Sequence, residues 1–86
     1  MIKGTLDNGF EFEIDENGIN DMRFVDILAG VEENPLLFSK AATMMLGAEQ
    51  KERLYKHLED ENGHVNVEKF GKCITEIIEK SSTLKN

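Results

Sequence analysis

One stretch of the sequence, residues 35–46, is more apolar than a helix of its length needs to be. It begins at Asn34 and Pro35, which are favoured residue types at a helix N-cap and first position, and it ends before Gly47. At about 100° per residue, its apolar side chains cover an arc of roughly 200°. A surface helix needs about half of that arc to pack on a core. The helix is therefore either enclosed by other elements or keeps apolar surface for a partner.

The apolar side chains of this stretch are the candidates for partner binding. Methionine is flexible and fits partners of different shape, so the Met-Met-Leu end of the stretch favours an adaptable surface about as much as a core. We predict that the partner-binding residues are Leu37, Phe38, Met44, Met45 and Leu46. This hypothesis also predicts that Met45→Asp weakens partner binding without unfolding the protein.

The rest of the chain predicts one small α+β domain, mostly α, over residues 1–80. Apolar residues occupy even positions in 1–14 and are interrupted by Asp-Asn-Gly, which is typical of a β-hairpin. Apolar spacing and capping residues then predict about four short helices at about 20–30, 35–46, 48–60 and 67–80. The apolar side of the last helix is expected to include Val67, Phe70 and Ile74. Residues 81–86 have no pattern and predict a frayed tail.

The composition limits the classes of partner and the compartment. Seventeen acidic residues against ten basic residues give the 86-residue chain a formal charge of −7. This charge repels nucleic acids and anionic membranes, so we expect neither as a partner. No run is long enough to span a membrane and no signal segment is recognisable, so we expect a cytoplasmic protein. Cys73 is the only cysteine, and we expect it to be a buried thiol.

The tetrapeptide Asp-Glu-Asn-Gly occurs at 15–18 and at 60–63, and it suggests a calcium loop. With Gly63 at loop position six, Asp60 and Asn62 fall on ligand positions. Position one is then Leu58 and position twelve is Lys69, where a bidentate glutamate is needed. The first copy fails in the same way at position twelve. Turns that end or precede helices are the favoured interpretation, with a calcium-responsive or other small-ligand domain as the alternative.

No motif in the sequence indicates catalysis. There is no phosphate-binding glycine loop, hydrolase elbow, paired-cysteine zinc motif or kinase signature. His57 and His64 lie seven residues apart without companions that would indicate an acid, base or metal role, so surface positions are expected. We therefore predict a protein that is not an enzyme and that uses no cofactor and no metal.

Three segments resemble the small tail assembly chaperones of long-tailed bacteriophages. Residues 46–70 contain Leu-Gly-Ala-Glu-Gln followed by a His-Leu-Glu-Asp-Glu-Asn-Gly-His-Val turn, and an isoleucine-rich helix comes after them. The strand sequence Gly-Phe-Glu-Phe-Glu-Ile-Asp at 9–15 and the helix sequence Phe-Val-Asp-Ile-Leu-Ala at 24–29 are also similar to that family. The likeness covers most of the chain.

The resemblance implies a non-catalytic protein of the bacterial host cytoplasm that is absent from the finished virion. Such chaperones bind the long, largely helical tape measure protein, keep it soluble and help to recruit tail tube subunits around it. They are commonly made in a short form and a frameshifted longer form, and we expect a homo-oligomer. A generic protein-interaction domain unrelated to phage remains a further alternative.

Overall fold

A computed structural model describes the backbone of residues 1–85 and the side chains of residues 1–81. A two-stranded antiparallel sheet is followed by four helices, which confirms the α+β, mostly α class. The elements in chain order are β1 (Ile2–Thr5), β2 (Glu11–Ile14), α1 (Glu16–Ile19), α2 (Met22–Gly30), α3 (Leu37–Leu58) and α4 (Val67–Lys85). Within the described residues, no helix combines the length and apolar character needed to cross a bilayer.

The hairpin forms where the alternation predicts it. Ile2 pairs with Ile14 and Gly4 with Phe12, and Gly9 adopts a positive φ of 92° in the turn. The even-numbered apolar side chains share one face because successive side chains of a strand point to opposite faces. That face lies on the helices, with α4 against β1 and α3 against β2. It buries Ile2, Leu6, Phe10, Phe12 and Ile14.

Gly4 leaves space for the Phe12 ring on the opposite strand, and Gly4→Ala is expected to destabilise the protein. A Cβ at Gly4 would lie 2.6 Å from Cζ of Phe12, whose side chain is only 2% exposed and cannot swing into solvent. Overpacking of this kind costs about 1–3 kcal/mol of unfolding free energy, measurable by urea denaturation. In the double variant Gly4→Ala/Phe12→Leu, the smaller leucine side chain should recover part of the lost unfolding free energy. Wild-type stability in the single variant would contradict this packing.

The apolar stretch and the helix after it form α3, with Gly47 as the break between them. Gly47 has φ 80° and ψ 165°, which separates the halves 37–46 and 48–58. The predicted break is therefore confirmed, and the predicted ends at 35 and 60 are each two residues outside the helix. Pro35 and Leu36 form a turn instead, in which Asn34 Oδ1 accepts the Leu36 N–H at 3.2 Å.

Gln50 connects the second half of α3 to the hairpin. Its Oε1 accepts the backbone N–H of Glu13 at 2.8 Å, and its Nε2 donates to the Glu13 carbonyl. The side-chain amide thus pairs with the outer edge of β2 as a neighbouring strand would. Gly47, Gln50 and the fully buried Leu54 all belong to the segment that carries the phage resemblance. Within this segment, Gly47 breaks the helix, Gln50 bonds it to the hairpin and Leu54 packs in the core.

The last helix begins as predicted but is longer. Asn66 Oδ1 accepts the Lys69 N–H at 2.9 Å as an N-cap, and the helix continues to Lys85. The predicted frayed tail is therefore wrong for residues 81–85, and Asn86 lies outside the described residues. Ser81 is 0% exposed. Its burial shows that packing, rather than an apolar pattern, carries the helix past residue 80.

Val67 is the exception in the apolar side of α4. Phe70, Cys73, Ile74 and Ile77 are buried, whereas Val67 is 65% exposed. Val67 lies on the same side as Ile74 because seven residues are close to two helical turns, but it is two turns nearer the start. Val67 therefore shares the predicted apolar side without being buried, since the core ends before the first turn of α4.

Candidate functional site

The five predicted partner-binding residues lie at different depths. Leu37, Phe38 and Met44 are half-buried, whereas Met45 is 3% and Leu46 is 6% exposed. Met45 and Leu46 are part of the core, so the prediction that they offer surface to a partner is wrong for this conformation. For the same reason, Met45→Asp is expected to unfold the protein and not only to weaken partner binding.

The wide apolar arc of residues 37–46 is explained mainly by enclosure. The helix α3 contacts α1 and α2 as well as α4, and its second half contacts β2 through Gln50. Ala41 and Ala42 are fully buried, which allows neighbouring elements to approach closely. The wide arc has two possible explanations, enclosure by other elements and apolar surface kept for a partner. Enclosure accounts for the end of the helix near Leu46, whereas apolar surface remains exposed at the end near Phe38.

A groove runs between the start of α3 and the first three turns of α4. Its volume is about 580 Å³, and Pro35, Phe38 and Val67 provide apolar lining. The Phe38 ring lies directly on α4 at Gly71, where an added Cβ would be 3.2 Å from the ring. The absence of a side chain at Gly71 lets the Phe38 ring approach the helix closely.

A smaller groove of about 270 Å³ lies on the other side of Phe38 and shares Pro35, Phe38 and Val67 with the first. Leu36, which is 78% exposed, and Val65 also line it. We call the five residues together the Phe38 surface: Pro35, Leu36, Phe38, Val65 and Val67. Of these, only Phe38 is among the residues predicted from the sequence. The other four are apolar residues that lie just outside a helix or at its first position. That position is the sequence signal by which they could have been identified.

Polar groups border the Phe38 surface on two sides. Lys51 Nζ donates to Ser39 Oγ at 2.8 Å and to Thr43 Oγ1 at 2.9 Å, and it lies 5.7 Å from the centre of the Tyr55 ring. These contacts hold the polar side of residues 37–46 against the second half of α3. On the other side, glutamates and one lysine of α4 line the larger groove.

The two Asp-Glu-Asn-Gly segments use their aspartates to hold backbone turns. Asp15 Oδ1 accepts the Asn17 N–H at 2.9 Å and caps α1, a short helix that the sequence pattern did not predict. Asp60 Oδ1 accepts the N–H groups of Asn62 at 2.8 Å and His64 at 3.0 Å. In the part of the chain that is described, no three or more His, Cys, Asp or Glu side chains are grouped for metal binding.

The Asp60 turn is expected to make stability depend on acid pH. The two backbone N–H groups, from His64 and then Asn62, lower the pKa of Asp60 below its usual range. Because the folded-state pKa is below the unfolded-state value, the stabilisation is present above about pH 4 and is lost as the pH falls through the folded-state pKa. Asp60→Asn keeps an acceptor oxygen without the charge. Its stability deficit relative to wild type should therefore shrink below pH 4 in urea titrations; an equal deficit at pH 7 and pH 3 would contradict this.

The side chains of His57 and Cys73 have structural contacts. His57 Nε2 lies 3.0 Å from the Asn8 carbonyl oxygen, which it can approach only as a donor, and its ring packs against Phe10. Cys73 is buried, as predicted, and the Asn8 side-chain amide donates to its Sγ at 3.5 Å. Burial raises the pKa of the Cys73 thiol, which favours the less nucleophilic protonated form.

Comparison with known proteins returned no matching family model, no matching curated protein and no matching solved structure. The resemblance to tail assembly chaperones therefore stays a prediction from the sequence.

Proposed function

We propose that this chain is a non-catalytic phage tail assembly chaperone that binds the tape measure protein through the Phe38 surface. The proposal joins two independent supports. The sequence resemblance supplies the kind of client, and the apolar Phe38 surface supplies a place to bind it. The surface is the observation on which the proposal depends, because a chaperone of this kind needs exposed apolar area.

The Phe38 surface contains two strongly exposed apolar side chains. Leu36 and Val67 are among the five most exposed large apolar side chains of the described residues, at 78% and 65%. They lie next to each other along one groove with Pro35 and Phe38. Single exposed apolar residues are common, but contiguous ones that line a groove are typical of interaction sites.

The physical role of such a surface is to cover apolar helical segments of a client before assembly. A client with exposed apolar stripes aggregates unless those stripes are covered, and a groove between two helices is a common receptor for an amphipathic helix. The formal charge of −7 keeps the resulting complex soluble through mutual repulsion. The charge and the groove together fit a holding function without catalysis.

The proposal extends to the partners and setting that the resemblance implies. The chaperone acts in the cytoplasm of the bacterial host, forms a homo-oligomer and brings tail tube subunits to the client. A frameshifted longer form would carry the contacts to the tube. These features belong to the same proposal.

The direct test is co-expression of the chain with a fragment of a tape measure protein from a long-tailed bacteriophage. We expect the fragment to be insoluble alone and to co-purify with the chain as a soluble complex. An unrelated acidic protein of similar size serves as the control for charge. A fragment that stays insoluble with the chain, or that dissolves equally with the control, would contradict the proposed function.

A further inference from the structure

The larger groove has an acidic rim beside its apolar lining. Glu68, Glu76 and Glu79 of α4 line it, against the single cation Lys72. Glu76 accepts the Asp7 backbone N–H at 2.8 Å and lies 3.7 Å from Lys80 Nζ, so its charge is partly compensated. Glu68 makes no ion pair among the described residues. The rim therefore carries net negative charge next to apolar surface.

The shape of the groove favours a helical occupant. Along α4 the lining runs from Val67 to Glu79, which is thirteen residues with a rise of about 18 Å between the first and the last. The walls of the groove are formed mainly by the helices α3 and α4, so the groove offers no strand edge for an extended chain to pair with. A helix satisfies its own backbone groups and needs only a matching side-chain surface.

We propose that the larger groove binds an amphipathic helix whose apolar stripe is flanked by lysine or arginine. The inference rests on the proposed function and names the chemistry of the segment that is bound. Apolar residues of the occupant contact Phe38 and Val67, and its basic residues face Glu68 and Glu76. A second copy of this chain is a poor occupant of the groove, because it brings its own net charge of −7 towards an acidic rim.

The probes are two synthetic helical peptides of about 14 residues, or roughly 21 Å, which is enough to follow the groove. Both carry the same leucine stripe, flanked by lysines in one and by glutamates in the other. We expect the basic peptide to bind about tenfold more tightly in fluorescence anisotropy, since a few partly exposed charge pairs are involved. The preference should decrease as salt is raised from low to high ionic strength.

Charge-reversal variants assign the preference to this groove. Glu68→Lys should weaken binding of the basic peptide several-fold, and Lys72→Glu should strengthen it. Glu11→Lys on the hairpin changes the net charge by the same amount as Glu68→Lys and should leave binding unchanged. All three positions are exposed, so the variants are expected to fold.

Each outcome has a distinct meaning. Equal binding of the two peptides, both weakened by Val67→Asp, would overturn the charge preference and leave the proposed function intact. An equal loss of affinity for the basic peptide in Glu68→Lys and Glu11→Lys would show that the preference comes from the net charge of the whole molecule. That result would overturn the assignment of the preference to the larger groove. If neither peptide binds, the proposal that the larger groove binds an amphipathic helix is overturned. The co-expression test then decides the proposed function separately.

Discussion

Val67→Asp should weaken binding of a tape measure fragment by about 30-fold or more while the protein stays folded. Val67 is shared by both grooves and is 65% exposed, so a charge there meets the client rather than the core. Loss of a central contact that is a binding hot spot costs about 2 kcal/mol or more of binding free energy, and a buried charge adds to that cost. Aspartate in the first turn of α4 is also favourable for the helix, because it lies at the positive end of the helix dipole.

Val25→Asp is the matched control for this variant. Val25 is an exposed valine of α2, at 47% exposure, and it lines neither groove. Isothermal titration calorimetry should give it the wild-type dissociation constant, and thermal melts should be similar for both variants. Equal weakening by the two substitutions would show that added negative charge, and not the Phe38 surface, determines binding.

Met45→Asp is expected to unfold the protein instead of merely blocking a partner. Met45 is 3% exposed and packs in the core with Ala41, Ala42 and Leu46. An unpaired carboxylate in a core costs several kcal/mol. For 86 residues the total free energy of unfolding is about 4 to 13 kcal/mol, so much of it would be lost.

Met45→Leu and Met22→Asp are the controls for the core substitution. Leucine keeps the apolar volume and should cost less than about 1.5 kcal/mol. Met22 is 68% exposed, so the same change to aspartate should leave the circular dichroism spectrum and the melting temperature near wild type. A folded Met45→Asp protein with wild-type stability would mean that residues 37–46 are not enclosed as described.

The sequence predicts the local structure well where a few residues determine it. The alternation in 1–14 and its Asp-Asn-Gly turn predict the hairpin. Asp21 caps α2 and Asn66 caps α4, close to the starts predicted at about 20 and 67. Gly47 breaks α3 because its φ of 80° is one that other residues rarely adopt. These features depend on neighbours in the chain, which a sequence displays directly.

The burial of individual side chains depends on contacts that the sequence does not display. The arc width of residues 37–46 indicates surplus apolar surface but not which part of it is covered. It therefore does not distinguish the buried Met45 and Leu46 from the half-buried Phe38. Val67 fits the helical spacing of α4 yet lies beyond the core, and Ser81 lacks an apolar signal yet is buried. In each case the deciding factor is where the neighbouring elements end.

The most direct test of the Phe38 surface is a titration of the ¹⁵N-labelled chain with the tape measure fragment, followed by amide chemical shifts. The proposed function predicts that the largest changes fall in residues 35–39 and 65–72. It also predicts that the amides around Met22 and Val25 on α2 change little. Changes concentrated on α2 or on the hairpin, with residues 35–39 and 65–72 unaffected, would contradict it.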